Sequence, residues 1–477
     1  MRLVLAALLV LISCRAGAVL PAPVLQALRA ADIPASAISV VVQPVGGGPA
    51  RISHRAKEPM NPASVMKLVT TYAALDSLGP AWTWRTEVLT TGRLADGVLD
   101  GNLVLRGGGD PSLTLEQFWL LLRDLRARGV RDIRGDVITD RSLFAPINHD
   151  PGAFDNEPLA AYNVGPDALM LALNALRIRL LPQTGGTPAL WAEPPLAGVR
   201  IDNRVQLVDG ECGDWKDTLD AKMVATEGDG AALTLQIGGR FARDCGERIW
   251  NVAPLPHREF FARALRAMWA ELGGRIAGRV RDGTVPADAV PLAAMESPPL
   301  AQVIRDINKY SNNVMARQLF LTLASGNGTP ADTTGAAAAV RAWATRRGLA
   351  LPSLVLENGS GLSRSERISA ADMATLLRHA WASSVMPEFM SSMPVLAVDG
   401  TLRRRLRNSP ASGQAHLKTG SLADTRSIAG YVLDRNGQRV LLVAWLNHAN
   451  AKRAQPVLES LLEWVWAGNN QTFPATD

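Results

Sequence analysis

Lysine is scarce in this chain: seven residues, at positions 57, 67, 216, 222, 309, 418 and 452, stand against 43 arginines. Three of the seven fall in or beside polar clusters with a chemical use. Ser64-Val65-Met66-Lys67 places a hydroxyl and an amine three residues apart, on one face of a helix. Serine is a poor nucleophile until a neighbour takes its proton; arginine does not deprotonate, whereas a lysine desolvated on an apolar face can act as the base. Near a helix start the Ser64 N–H has no intrahelical acceptor and lies at the positive end of the dipole, free to donate to a developing oxyanion. Ser311-Asn312-Asn313 follows Lys309 between two apolar runs. Its Ser311 hydroxyl can relay a proton to a leaving amine, and the Asn313 amide can hold a substrate carbonyl and the lysine amine together. Lys418-Thr419-Gly420-Ser421 ends a strand-like segment. Here Lys418 is expected to be a fixed positive charge that grips a substrate carboxylate with the Thr419 hydroxyl. Gly420 is expected to admit a substrate backbone, and the Ser421 N–H to be a second oxyanion donor. Taken singly, each cluster is equally a solvated lysine, a polar turn or a protected strand edge.

The elements that must hold these groups can be read around them. Asn61 is a natural N-cap with Pro62 at the first helical position, so a helix is expected over Ala63–Leu78, apolar on nearly every face and hence buried. Ala37–Val45 reads as a strand with Ala50–His54 as its hairpin partner. From Trp82 to about Pro298 the texture changes to short strands broken by Asp-Gly, Gly-Gly and Pro, with few helices such as Leu115–Arg128. Helical texture returns over Leu300–Leu323, Thr334–Arg347 and Ala370–Trp381. The chain then reads as strands Ala415–Lys418, Ser427–Leu433 and Arg439–Leu446, followed by a helix over Pro456–Ala467. Strands at both ends with helices between them predict one α/β domain split by an insertion. Gly107-Gly108-Gly109 lacks GxxxxGK[ST], so a turn is expected there and not a phosphate loop.

With 47% hydrophobic and 20% charged residues the composition is that of a globular protein, and a net charge of +6 over 477 residues is too diffuse to argue for nucleic acid. Arg2, the apolar run Leu3–Ile12 and Ala16-Gly17-Ala18 read as a cleaved export signal over residues 1–18; ten apolar residues fall far short of the roughly 20 that span a bilayer. Leu11-Ile12-Ser13-Cys14 offers a competing lipoprotein processing box with Cys14 as the lipidated residue. After signal removal only Cys212 and Cys245 remain, and an exported chain with one cysteine pair most simply forms one structural disulfide. The six histidines show no HExxH and the chain no CxxC, so no metal or other cofactor is called for.

The three motifs, SVMK, SNN and KTG, resemble the signature of penicillin-binding proteins and serine β-lactamases. Ser64 and Ser311 lie 247 positions apart, far more than a simple β-lactamase allows. That insertion, with Gly101–Pro111 (GNLVLRGGGDP), Ile133–Asp136 (IRGD) and Glu357–Arg364 (ENGSGLSR), resembles the low-molecular-mass class C penicillin-binding proteins, the D-alanyl-D-alanine carboxypeptidase/endopeptidases of the S13 peptidase family. The resemblance implies a serine β-lactamase/DD-peptidase-like transpeptidase domain, an antiparallel sheet flanked by helices, formed by residues 19–82 and 291–477. Residues 83–290 would hold two inserted, mostly β domains, one nested within the other. It implies Ser64 as the acylated nucleophile, Lys67 as its base, and Ser311, Asn313, Lys418 and Thr419 as the remaining cleft. Peptidoglycan stem peptides and cross-links would be the substrates, β-lactams covalent inhibitors, and the location periplasmic with no membrane span. An acidic residue of the inserted region reads the diamino acid in this family, and no motif fixes its position here. A β-lactamase-like hydrolase and a non-catalytic wall-binding scaffold are the alternatives.

Overall fold

Aliphatic runs from the two ends of the chain pair into one sheet. In the computed structural model, which describes residues 20–226, 232–326 and 328–468, the antiparallel order is Ile52–His54, Ile38–Pro44, Arg439–Asn447, Thr425–Leu433 and Ala415–Leu422. The expected export signal and Cys14 lie outside the described residues. Side-chain alternation gives this sheet two different faces. Val40, Leu417, Val432, Leu442 and Ala444 point to one face and pack with Leu28 and Leu461 from the helices Ala22–Ala30 and Gln455–Trp466. Tyr431 points the other way, and its hydroxyl donates to the Leu377 carbonyl of the helix Ala370–Trp381 at 2.7 Å.

The chain is arranged in two units. The first, of Met1–Leu68, Ala344–Leu356 and Arg364–Asp477, holds the sheet just described. The second comprises Val69–Trp343 and Glu357–Ser363. Its largest sheet runs in the order Val280–Asp282, Val137–Asp140, Leu103–Arg106, Arg85–Thr90, Val290–Glu296, and the helices Leu115–Ala127 and His257–Glu271 contribute Phe118, Leu122, Phe261 and Trp269 to the adjoining core. Within the same unit, residues 176–252 form further sheets around a separate core of Ile178, Leu235, Ile237 and Phe241. Cys212 and Cys245 are disulfide-bonded there. Strands on either side of this stretch pair with each other across it, Arg85–Thr90 with Val290–Glu296, so one β region is enclosed in sequence by another.

Three local expectations need correction. The segment after Pro62 does not enter an α-helix at once: Ala63–Met66 is a 3-10 turn and the α-helix proper is Lys67–Leu78. Tertiary ties override the capping pattern, because Ala63 is held left-handed at φ 46° and Asn61 and Pro62 are bonded to the sheet. The 15-residue helix His257–Glu271 lies in the stretch read mainly as strands. Gly107–Gly109 is an irregular segment and not a turn; Gly107 passes close to the Ala168 carbonyl and Gly108 to that of Arg85, where any Cβ would collide at 2.2 Å.

Candidate active site

The Asn61–Lys67 segment is clamped to the sheet before the helix begins. Asn447 Nδ2 donates to the Asn61 carbonyl at 3.0 Å and its Oδ1 accepts from the Asn61 N–H at 2.9 Å; Ser427 Oγ donates to the Pro62 carbonyl at 2.6 Å. Asn61 Oδ1 accepts from the Ala63 N–H at 2.8 Å, a local turn contact, while Pro62 takes the cap position of the 3-10 turn. Ser64 is then presented, half-buried, from a turn whose N-terminal flank, Asn61-Pro62, is fixed by long-range bonds. Lys67 is 0% exposed, and its Nζ donates to Ser64 Oγ at 2.9 Å. No acceptor for the Ser64 N–H is found among the described residues, which leaves it able to donate to an oxyanion.

Lys418 and Gly420 share the sheet face that carries this turn, because residues two apart in a strand point the same way. Gly420 has a strict reason to be glycine. A Cβ there would lie 2.1 Å from Ser427 Oγ and 2.5 Å from the Pro62 carbonyl oxygen. The close approach it permits is therefore by the nucleophile's own turn, where a substrate backbone was expected. Lys418 is 0% exposed and donates to the Thr419 carbonyl at 2.7 Å. Burial pushes its amine down to about 7. Thr419 Oγ1 shares a 2.8 Å hydrogen bond with Thr401 Oγ1. The strand is the sheet's outer edge. The Leu417 N–H turns outward to the Pro394 carbonyl, and alternation sends the Thr419 and Ser421 N–H groups outward as well. The Ser421 N–H therefore lies on the open edge of the sheet.

Ser311 and Asn313 belong to the second unit. They join the helices Leu300–Lys309 and Asn313–Thr322, with Ser311 left-handed at φ 58° and Asn312 capping the second helix through the Met315 N–H at 3.1 Å. Asn313 Nδ2 reaches the Tyr162 carbonyl at 3.4 Å. That contact leads to residues the sequence did not single out. The Asp155 carboxylate accepts from the Tyr162 hydroxyl at 2.8 Å, from Asn163 Nδ2 at 2.8 Å and from the Glu157 N–H at 3.2 Å. Burial and this carboxylate push the Tyr162 phenol above its ordinary value, which keeps it a donor. No spacing rule marks Asp155; only its position in the loop that Asn313 touches does so. A cavity of about 770 Å³ opens beside this segment, with Tyr310–Met315 on one wall.

A left-handed backbone at a residue other than glycine costs of order 1–3 kcal/mol and persists where the surroundings over-determine it. Ala63 and Ser311 adopt it directly before Ser64 and within the SNN cluster. The first unit thus holds the Ser64 hydroxyl beside the buried Lys67 amine, the buried Lys418 amine, and the Ser64 and Ser421 N–H groups.

Comparison with known proteins identifies the family. The model of the D-Ala-D-Ala carboxypeptidase 3 (S13) family matches residues 22–465. The chain is 26% identical over 389 residues to the D-alanyl-D-alanine carboxypeptidase DacB of Haemophilus influenzae, covering 81% of this chain and 80% of that protein. It is 28% identical over 431 residues to the D-alanyl-D-alanine carboxypeptidase of Actinomadura sp. (strain R39), covering 86% and 78%. The crystal structure of penicillin binding protein 4 (dacB) from Haemophilus influenzae matches its fold with a TM-score of 0.76 at 23% identity, over 93% of this chain and 99% of that one. Among the described residues, no helix is long and apolar enough to cross a membrane.

Proposed function

The chain belongs to the D-Ala-D-Ala carboxypeptidase 3 (S13) family, and we propose that it is a periplasmic serine DD-peptidase that cleaves D-Ala-D-Ala stem peptides and D-Ala–diamino acid cross-links of peptidoglycan through an acyl-enzyme on Ser64. The observation that carries this reading is the 2.9 Å bond between Ser64 Oγ and a lysine amine with no solvent exposure. When that amine is neutral it accepts the hydroxyl proton as Ser64 Oγ attacks the carbonyl carbon of the penultimate D-alanine. The Ser64 and Ser421 N–H groups receive the oxyanion. Collapse of the tetrahedral intermediate breaks the C–N bond, and the departing amine takes a proton relayed by the Ser311 hydroxyl, while Asn313 holds the acyl-side carbonyl. Water then attacks the ester, restoring Ser64 and releasing the shortened peptide. Lys418 and Thr419 hold the carboxylate that follows the scissile bond. Asp155, already oriented by three donors, is the acidic group that reads the amine of the diamino acid.

The same reading takes residues 1–18 as the export signal, 19–82 and 291–477 as the catalytic domain and 83–290 as the nested insertions. It is tested by intact mass after incubation with a β-lactam, followed over hours. One adduct mapped to Ser64, abolished in a folded Ser64→Ala variant and lost only slowly, is expected. Rapid loss of the adduct with turnover of the drug would favour a β-lactamase, and no adduct, or one on another serine, would overturn the assignment.

A further inference from the structure

The cavity beside Ser311–Asn313 has a second wall that the reaction above does not use. Arg177, Glu193 and Asn251 line it, and they form one cross-strand row of the three-stranded sheet Ala189–Glu193, Leu176–Leu181, Arg248–Val252. The next row on the same face is Trp191–Arg179–Ile249, and the one after it is Ala189–Leu181. The opposite face of this sheet is spoken for, since Leu176, Ile178 and Leu180 are buried in the inner core. The outward face is not: Trp191 is 40% exposed, Ile249 40% and Leu181 38%. Three rows two residues apart extend for about 13 Å. A flat surface therefore leaves the cavity and runs out along the sheet, with an indole on one edge strand and guanidinium groups along the centre.

We propose that this face is a binding track for the polymer itself, a glycan strand with its stem peptides, adjoining the subsite that Ser311 and Asn313 provide; the proposal rests on the peptidase reading above. Two features select this occupant. The inner row of the track lines the cavity at the SNN segment, so a substrate that leaves the cavity along this sheet crosses it. Its chemistry also matches. An exposed indole offers an apolar face for the C–H face of a sugar ring and keeps a polar N–H at its edge. Arg177 and Arg179 offer charge-assisted hydrogen bonds to the carboxylates that stem peptides carry. Arg179 is held in place by Glu247 at 2.9 Å, and Arg177 feels Glu116 across the cavity. The Glu247 pairing orients the Arg179 guanidinium while leaving further donors on it. A short soluble peptide would end before reaching Trp191.

The test separates polymer binding from catalysis. Full-length protein carrying Ser64→Ala, which cannot cleave, is sedimented with insoluble peptidoglycan sacculi. Adding Trp191→Ala should weaken retention at least fivefold, adding Arg179→Glu likewise, and adding Trp191→Phe should keep it within twofold. With Ser64 intact, Trp191→Ala should turn over a D-Ala-D-Ala pentapeptide within twofold of the parent while losing rate on sacculi. Unchanged retention in both the Trp191→Ala and Arg179→Glu variants would overturn the track. So would a shift in oligomeric state on sizing with retention intact, which would make the face a self-association surface. If the parent neither hydrolyses peptide nor reacts with a β-lactam, the peptidase reading fails by itself, and sacculus retention still decides the track.

Discussion

Lys418 offers the sharpest test, because its environment and its proposed task pull in opposite directions. An amine with an ordinary value near 10.5 is pushed to about 7 by complete burial, so half the free enzyme carries the charge at pH 7 and about 1% at pH 9. Only the charged form can hold an anionic terminus by a charge-assisted hydrogen bond, worth roughly 1.5–3 kcal/mol. kcat/KM reports ionisations of the free enzyme. For a substrate ending in a free carboxylate it should therefore fall by roughly six- to thirtyfold between pH 7 and pH 9, since the neutral form keeps whatever rate that bond does not supply, and for the matching C-terminal amide this falling limb should be absent. Lys418→Ala should cost roughly ten- to more than a hundredfold in kcat/KM at pH 7, slow β-lactam acylation and abolish the limb. The same burial affects stability with a definite sign. The unfolded amine is protonated up to about 10.5 and the folded one only below about 7, so the folded state gains stability as pH rises through that window and is penalised by ~4–5 kcal/mol below it. Lys418→Met should therefore raise Tm at pH 7 while removing activity, a signature that a merely structural lysine would not give. Parallel pH profiles for the acid and amide substrates, or peptide hydrolysis by Lys418→Ala within twofold of the parent, would refute the assignment.

Other outcomes follow from neighbouring geometry. Gly420→Ala should drive a methyl into the Pro62 carbonyl and Ser427 hydroxyl, displace the nucleophile's turn and lower the acylation rate by more than tenfold, read by intact mass, with a fall in Tm. Native protein should titrate no free thiol at Cys212 or Cys245, and the double Cys→Ser variant should lose roughly 3–4 kcal/mol in denaturant unfolding while keeping small-peptide turnover, since the bridge closes a 33-residue separation in the inner β region. Asp155→Asn should raise KM for substrates carrying a free diamino acid amine by tenfold or more and leave a substrate without that amine within twofold.

What was legible in the sequence was whatever depended on neighbours in the chain. Ala370–Trp381 is helical over the expected residues, with Ser369 capping it through the Asp372 N–H at 3.0 Å. The late strands pair through the Asn436-Gly437 turn as their alternation predicts. Ser64 and Lys67 meet because three helical positions bring side chains together whichever helical form carries them. Distant partners hid the rest. The left-handed Ala63 and the 3-10 turn answer to Asn447 and Ser427, more than 360 positions away. Gly420 looked like an opening for substrate because the segment that fills the space, Pro62–Ala63, is remote in sequence. Asp155 stands in a loop with no repeat, spacing or cap to mark it.

On the proposed reading, these hidden contacts are what turn a weak three-residue pattern into a working site. An SxxK segment on an ordinary α-helix would have its serine N–H only one of four orphan donors and its lysine free to swing to solvent. Here the first turn is tightened and tied down through Asn61 and Pro62, Lys67 is enclosed, and the KTG strand is pressed against the turn at the one residue that has no side chain. The positions of the Ser64 N–H, on the turn, and the Ser421 N–H, on the strand, are thereby fixed relative to each other by the Gly420 contact and the Ser427 bond. An oxyanion hole needs its two donors set before charge develops, since reorganising them during the reaction would consume the stabilisation they provide. The packing at Gly420 is thus part of the chemistry, though Gly420 itself touches no reacting atom. Enlarging Gly420 should spare the 2.9 Å Ser64–Lys67 pair, which lies within one turn, and lose acylation through the second donor.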